Sequence, residues 1–351
     1  MSLILDGSNG ITFPNSSTQA VGFYGFKNRI INGAMAVSQY NGASSVTPSS
    51  TTYVIDRFQL NITQASKITA QQLSASPPVG FSYYLGLSVA ATATVGATDA
   101  FEILQSIEGL NAQDLAWGTA NAKAVTLSAW VYSNVTGTFG GAIWLYGGST
   151  SYPFTYTIAA ANTWTQVSIN IPGPTTGTWP TTNSGSIIVG FSLGAGTSKS
   201  GTAGTWASGT TYFSATGATS LMGSTSNYFY ITGVQLEAGS TATSFDYRPY
   251  GTELALCQRY YYQFSNSGLS DNVYAYSPYS PASYTSLPNS SASFPMYFPV
   301  TMRAAPTVSG TPNAGSLNRA TSTTGLVVFQ WSSTVANSAY AVTAYTATAE
   351  L

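Results

Sequence analysis

Histidine is absent from the 351-residue chain, cysteine occurs once, and only 6% of the residues are charged. The first absence removes the usual base of nucleophilic triads and the commonest zinc ligand. A lone Cys257 forms no internal disulfide and supplies no thiolate cage for a metal; it reads as a small buried hydrophobe. Ten basic side chains against eleven acidic ones, a net charge of -1, leave no field for phosphate backbones, which are captured by clustered Lys and Arg, so nucleic acid is excluded as a partner. No GxxxxGK loop occurs, and the GG and GxG runs sit among Ser and Thr as turns. No cofactor or metal is implied. The uncharged run between Lys123 and Lys199 is broken throughout by Ser, Thr, Gly, Asn and Pro, which excludes membrane insertion along it. MSLILDGSNG lacks a basic start and reaches Asp6 and Gly7 at once, so no secretory signal is expected.

What is present is aromatic and neutral-polar: Tyr 24, Phe 16 and Trp 7, with a surface left to Ser, Thr, Asn, Gln and Gly. Near-zero net charge lowers repulsion between copies and favours self-association. The length suits two domains and an arm. Residues 1–26 hold two apolar scraps, LIL and ITF, between the turn-rich DGSNG and PNSSTQ, too little to fold alone. Residues 27–240 run in short alternating pieces such as Tyr53 to Leu60, Phe101 to Ile107, Val125 to Val131 and Tyr228 to Leu236, separated by Gly, Pro, Asn and Ser. Eight or more strands without a strongly periodic helix predict an all-β antiparallel β-sandwich of jelly-roll type. Residues 265–351 predict a smaller C-terminal β domain.

Residues 241–264 join the two. Charge, scarce elsewhere, gathers around this junction as Glu237, Asp246, Arg248, Glu253 and Arg259, which points to ion pairs; Asp56-Arg57 reads the same way. A short helix is predicted from Thr252, with Leu254, Cys257 and Tyr261 on one apolar face. Gly233 marks a bulge in the strand before it.

The junction sequence VQLEAGSTATSFDYRPYGTELALCQRYY resembles a segment that recurs in tail-fibre and related receptor-binding proteins of bacteriophages. NRIINGAMAVSQYNG, YVIDRF, IEGLNAQDLAWGTANAKAVTLSAWVYS and FPVTMRAAPTVS resemble the same family, so the likeness covers most of the chain. It implies a jelly-roll domain linked to a distal domain, a homotrimer, docking to other virion structural proteins through the N-terminal extended arm, and attachment to host surface polysaccharide. It implies synthesis in the host cytoplasm and residence in the virion. The middle of the chain also resembles the jelly-roll carbohydrate-binding modules of glycan-degrading enzymes.

Neutral sugars are bound by aromatic faces and uncharged hydrogen-bonding groups. Trp179 in GTWPTTNSG and Trp206 in GTWASGT lie in loop-like contexts, and Tyr274, Tyr276, Tyr279 and Tyr284 are interleaved with Ser, Pro and Asn; these six are the glycan-binding candidates. The tyrosines serve equally well as a trimer interface. Trp130 and Trp164 alternate along strands and read as core. Glu102 and Glu108 are the nearest pair of acids; on one strand they stand about 20 Å apart, whereas glycosidase pairs sit roughly 5 to 10 Å apart. No catalytic residue is assigned, and the expected function is non-catalytic, multivalent attachment. A purely structural virion component, an adaptor or capsid-decorating fibre, and a polysaccharide depolymerase are the alternatives.

Overall fold

The computed structural model describes residues 26–265, 291–312, 316–332 and 342–351, and three short strands nearer the N-terminus. Those strands, β1 (Ile4–Asp6), β2 (Gly10–Thr12) and β3 (Thr18–Gln19), form a small antiparallel sheet. The sandwich is built from β4 (Thr52–Ile55), β5 (Phe58–Ile62), β6 (Ile68–Leu73), β7 (Tyr84–Val89), β8 (Ala100–Glu108), β9 (Val125–Ser133), β10 (Gly137–Leu145), β11 (Thr150–Ile158), β12 (Thr165–Ile171) and β13 (Gly185–Ala195). The two-residue strands β14 (Ser200–Gly201), β15 (Ala207–Ser208) and β16 (Ser214–Ala215) precede the long β17 (Tyr228–Ala238).

One sheet has seven strands in the order β15-β11-β10-β13-β8-β5-β4, the other five in the order β12-β9-β17-β7-β6. The chain passes repeatedly from one sheet to the other, so apart from the hairpins β4-β5, β6-β7 and β10-β11 the neighbours in space are remote in sequence, and every pairing within the two sheets is antiparallel. This is an antiparallel jelly-roll sandwich. Alternate residues of each strand point inward: Val125, Leu127, Ala129 and Val131 of β9 face Phe101, Ile103, Phe139 and Phe191 within one continuous core. Each large side chain so buried contributes roughly 1.5–3 kcal/mol.

Two details of the strands depart from a plain alternation. Tyr53 to Leu60, expected as one strand, turns back at Asp56-Arg57: β4 and β5 pair with each other across it. Arg57 takes a left-handed φ of 67° and is held there because its guanidinium covers the Tyr260 ring at 3.6 Å and pairs with Glu350. In β17 the register against β9 shifts between Thr232 and Gln235, at Gly233 with φ 62°, so the expected bulge is present.

The helix α1 (Tyr250–Gln258) starts two residues before Thr252, after Pro249, with no side-chain cap. Cys257 and Tyr260 pack with Ile31 and Val37, and Leu254 lies against them. Tyr261, expected on the helix, instead opens β18 (Tyr261–Ser265) and stacks on Tyr40 with centroids 3.7 Å apart. The C-terminal unit adds β19 (Ser291–Tyr297), β20 (Thr307–Pro312), β21 (Ser316–Ser322), β22 (Leu326–Ser332) and β23 (Val342–Thr348), which form two three-stranded antiparallel sheets, β18-β23-β20 and β19-β22-β21. Its small core holds Phe298, Met302, Val327 and Tyr345.

The junction charges are paired within the chain. Arg248 reaches Glu253 at 3.3 Å and Arg259 reaches Glu108 at 2.6 Å, while Tyr260 Oη donates to the same Glu108 at 2.7 Å. Glu237, rather than meeting an arginine, accepts from Gln235 Nε2 and from the Thr243 amide and hydroxyl. Among the described residues no helix is long and apolar enough to cross a membrane.

Candidate functional site

The two outer faces of the sandwich differ. That of the seven-stranded sheet is roofed in part by the chain itself, where Phe213 packs on Leu104, Ala142, Trp144 and Ile188. That of the five-stranded sheet carries a run of partly exposed aromatic rings. Because the odd-numbered residues of β9 fill the core, Trp130 and Tyr132 must point outward; in β17 Phe229 and Ile231 fill the core, so Tyr228 and Tyr230 point outward too.

Register then brings these rings together. Tyr230 pairs with Tyr132 across β17 and β9, and the pairing of Thr165 with Val131 sets Trp164 beside Tyr132. The Tyr132 and Tyr230 rings stack with centroids 5.4 Å apart and 3° between planes; Tyr228 stacks on Tyr230 at 5.0 Å. Tyr84 joins Tyr230 at 5.1 Å and meets Trp164 edge-on at 5.3 Å. Tyr132, Tyr228, Tyr230 and Trp164 are half-buried, and Tyr84 is 5% exposed.

On the other side of Tyr230 the surface drops. Its partner across β7 is Gly86, which pairs onward with Gln71 of β6, and Tyr228 lies opposite Ser88, which pairs with Thr69. Gly86 is buried, and a Cβ there would sit 2.5 Å from Leu73 Cδ1 and 3.4 Å from Tyr230 Cε1, so the Leu73 side chain lies over the glycine. The result is a shelf: an aromatic wall on β9 and β17, a floor of Leu73 lying over buried Gly86 and of exposed Ser88, and a neutral polar rim of Thr69 and Gln71. One end is closed by the loop after β6, held by Trp164 Nε1 to Ser76 O at 2.9 Å and Tyr84 Oη to Ala75 O at 2.9 Å.

Charge is nearly missing from this face. Glu237 is buried and satisfied by Thr243 and Gln235, and Lys67, just before β6, donates to Thr92 O. Burial, aided by the neighbouring phenols, pushes the Tyr230, Tyr228 and Tyr84 hydroxyls above their ordinary range. They stay neutral; the Tyr84 and Tyr228 hydroxyls already donate to Ala75 O and Asn162 Oδ1 and keep lone pairs that accept, while Tyr230 can do both. Such a shelf can lay rings against the C–H face of a sugar and exchange hydrogen bonds with its hydroxyls.

The residues singled out in the sequence fall elsewhere. Trp179, expected at a loop surface, is 7% exposed, because it closes one end of the core with Trp117 and Trp206: the three indoles meet edge to face at 4.8, 5.7 and 5.9 Å. Trp206 is half-buried in this cluster, and each indole N–H is bonded to a backbone carbonyl. Tyr274, Tyr276, Tyr279 and Tyr284 lie outside the described residues. Trp130 and Trp164, read as core, stand on the outer face. Glu102 and Glu108 are both buried on β8 and do not converge, Glu108 being held by Arg259. Asp99 accepts from Thr63 Oγ1, Gln64 Nε2 and the Gly96 amide, which hold its carboxyl below the usual range. Among the described residues no three His, Cys, Asp or Glu side chains gather as a metal site.

No protein-family model and no curated protein matches the chain. Solved structures similar to it include the enzymatically active domain of tailspike protein 4 of bacteriophage CBA120, at 15% identity and TM-score 0.34 over 61% of this chain and 22% of that one. Others are TmCBM61 in complex with beta-1,4-galactotriose, at 11% identity and TM-score 0.32 over 60% of this chain and 99% of that one, and a putative sugar binding protein from Bacteroides thetaiotaomicron, at 10% and 0.35 over 60% and 100%. At these scores the fold assignment rests on this chain's own strand order.

Proposed function

We propose that this chain is a bacteriophage tail-fibre or spike protein that binds a neutral surface glycan of the host on the tyrosine shelf and releases it unchanged. The observation that carries the reading is the shelf itself: Tyr132, Tyr230 and Tyr228 stacked beside Leu73 and Ser88 on a face where charge is nearly missing. Half-buried rings on an outer sheet face stand in water at a cost that a ligand can relieve. The motifs shared with phage receptor-binding proteins support the virion setting, the homotrimer and docking through the arm. A non-catalytic role fits the lack of histidine and the separate burial of Glu102 and Glu108. Each site is weak and copies on one particle raise the effective concentration, so attachment is by avidity.

Affinity electrophoresis of the parent, Tyr230→Ala and Tyr230→Phe in gels containing host surface polysaccharide tests this. The parent and the Phe variant are retarded; the Ala variant, with its far-ultraviolet spectrum unchanged, binds at least about tenfold more weakly, a loss of about 1.4 kcal/mol. Equal retardation of all three removes the shelf from the account. No retardation of the parent favours a purely structural virion component, and release of reducing ends from the polysaccharide identifies a depolymerase.

A further inference from the structure

The outward rows of the five-stranded sheet are not equally open. Leu85, Leu87, Phe229 and Ile231 fill the core, so Tyr84, Gly86, Ser88, Tyr228, Tyr230 and Thr232 face outward by alternation. Tyr228 pairs with Ser88, Tyr230 with Gly86, and Tyr84 with Leu73 of β6; Thr232, Tyr84 and Leu73 make the next row. Exposure falls along the strands: Ser88 is exposed, Tyr228 and Tyr230 are half-buried, and Tyr84 and Thr232 are 5% and 0% exposed. An outward side chain cut off from water has something lying on it.

What lies there is the loop of residues 74–83 between β6 and β7, and it is pinned from three sides. Trp164 Nε1 donates to Ser76 O and Tyr84 Oη to Ala75 O, both at 2.9 Å, while Thr232 Oγ1 donates to Tyr83 O at 2.8 Å. Phe81 fills the step at the Gly233 bulge, where a Cβ would meet its ring at 2.7 Å and Trp130 at 3.0 Å. The same ring packs on Phe245 at 5.0 Å and on Tyr247 at 5.6 Å. Loop and junction thus plug the sheet face beyond Tyr84. At the opposite end Ser88, Ala90 and Ser226 are exposed.

We propose that the shelf is a blind site that takes the end of a neutral glycan chain. The terminal sugar rests over Leu73 against Tyr230, beside the exposed Ser74 and Ser76 of the loop, and the chain leaves past Ser88. The inference deepens the glycan reading above and rests on it. A chain gripped by its interior has to continue in both directions along the floor, and the loop occupies one of them. The open floor is short, since the Gly86 and Ser88 rows stand about 7 Å apart at ~3.3 Å per residue. A terminal unit also carries a free hydroxyl where an interior unit carries a glycosidic bond, and a closed end can select that hydroxyl.

Calorimetric titration of the full chain with the neutral surface polysaccharide of a host strain, whole and after partial acid hydrolysis, tests the blind end. Chain ends in each sample are counted by methylation analysis. Binding sites per gram of glycan should rise in proportion to the ends, and Tyr230→Ala should bind both samples at least about tenfold more weakly. Sites per gram that stay constant or fall as the chains shorten, with Tyr230→Ala still impaired, overturn the blind end and leave the shelf as a site for chain interiors. Fragments bound equally by the parent and a folded Tyr230→Ala put the end-binding site elsewhere and overturn it too. A parent that binds neither sample overturns the glycan reading and this inference together. Should the Ala variant fail to fold, the parent's site count alone decides.

Discussion

Tryptophans of similar sequence setting do different work in this molecule, and exposure separates them. Trp164 stands on a sheet face where its ring touches Tyr84 and Tyr132 and remains open to solvent on one side. Trp179 spends its ring on Trp117 and Trp206 and its N–H on Thr176 O at 3.1 Å. Trp179→Ala would leave a cavity at the core's end, which costs about 3–5 kcal/mol, so a large fall in the thermal midpoint is expected. Glycan affinity of the folded fraction should stay as in the parent. A variant that melts like the parent and loses glycan would return Trp179 to the binding site.

At the scale of elements, β17 ties the shelf to the junction: it contributes Tyr228 and Tyr230 at one end and, after its bulge, Gln235 and Glu237 at the other. Gly233→Ala would force a Cβ to 2.7 Å from Phe81 Cζ at a φ of +62°. A left-handed non-glycine residue costs of order 1–3 kcal/mol before any clash, so the urea midpoint should drop with the slope unchanged; an unaltered midpoint would show that the bulge tolerates a side chain. The strands around it were legible from the alternation of VTLSAWVYS and YFYITGVQLEA, as was the bulge. The same alternation held the wall of the shelf, since Trp130 and Tyr132 flank the inward Val131. What periodicity could not supply was register: nothing local sets Tyr230 beside Tyr132 or opposite Gly86. The floor strands β6 and β7 were missed as well: ITAQQL gives the core only Ile68 and Ala70, and Gly86 thins the alternation of YLGLSV. The turn at Asp56-Arg57 was equally invisible, being stabilised by Tyr260 and Glu350 from far along the chain.

For the whole molecule, the sandwich and the C-terminal unit are bound by buried charge. Glu108 at 1% exposure accepts from Arg259 and Tyr260, and Arg57 reaches Glu350, while Arg303 donates to the carbonyls of Asn183, Ala349 and Glu350. Scarce charge is thus spent largely inside the chain, and the net charge of the whole is only -1. That neutrality favours assembly of copies. Multi-angle light scattering of the full chain should give a homotrimer; a monomer at micromolar concentration would remove the avidity on which firm attachment depends. Where the glycan sits is read by amide exchange with and without host polysaccharide. Added glycan is expected to raise protection in peptides covering residues 84–89, 128–134 and 226–232. Protection confined to residues 270–286, or to the Trp179 and Trp206 segments, would contradict the shelf as the binding site.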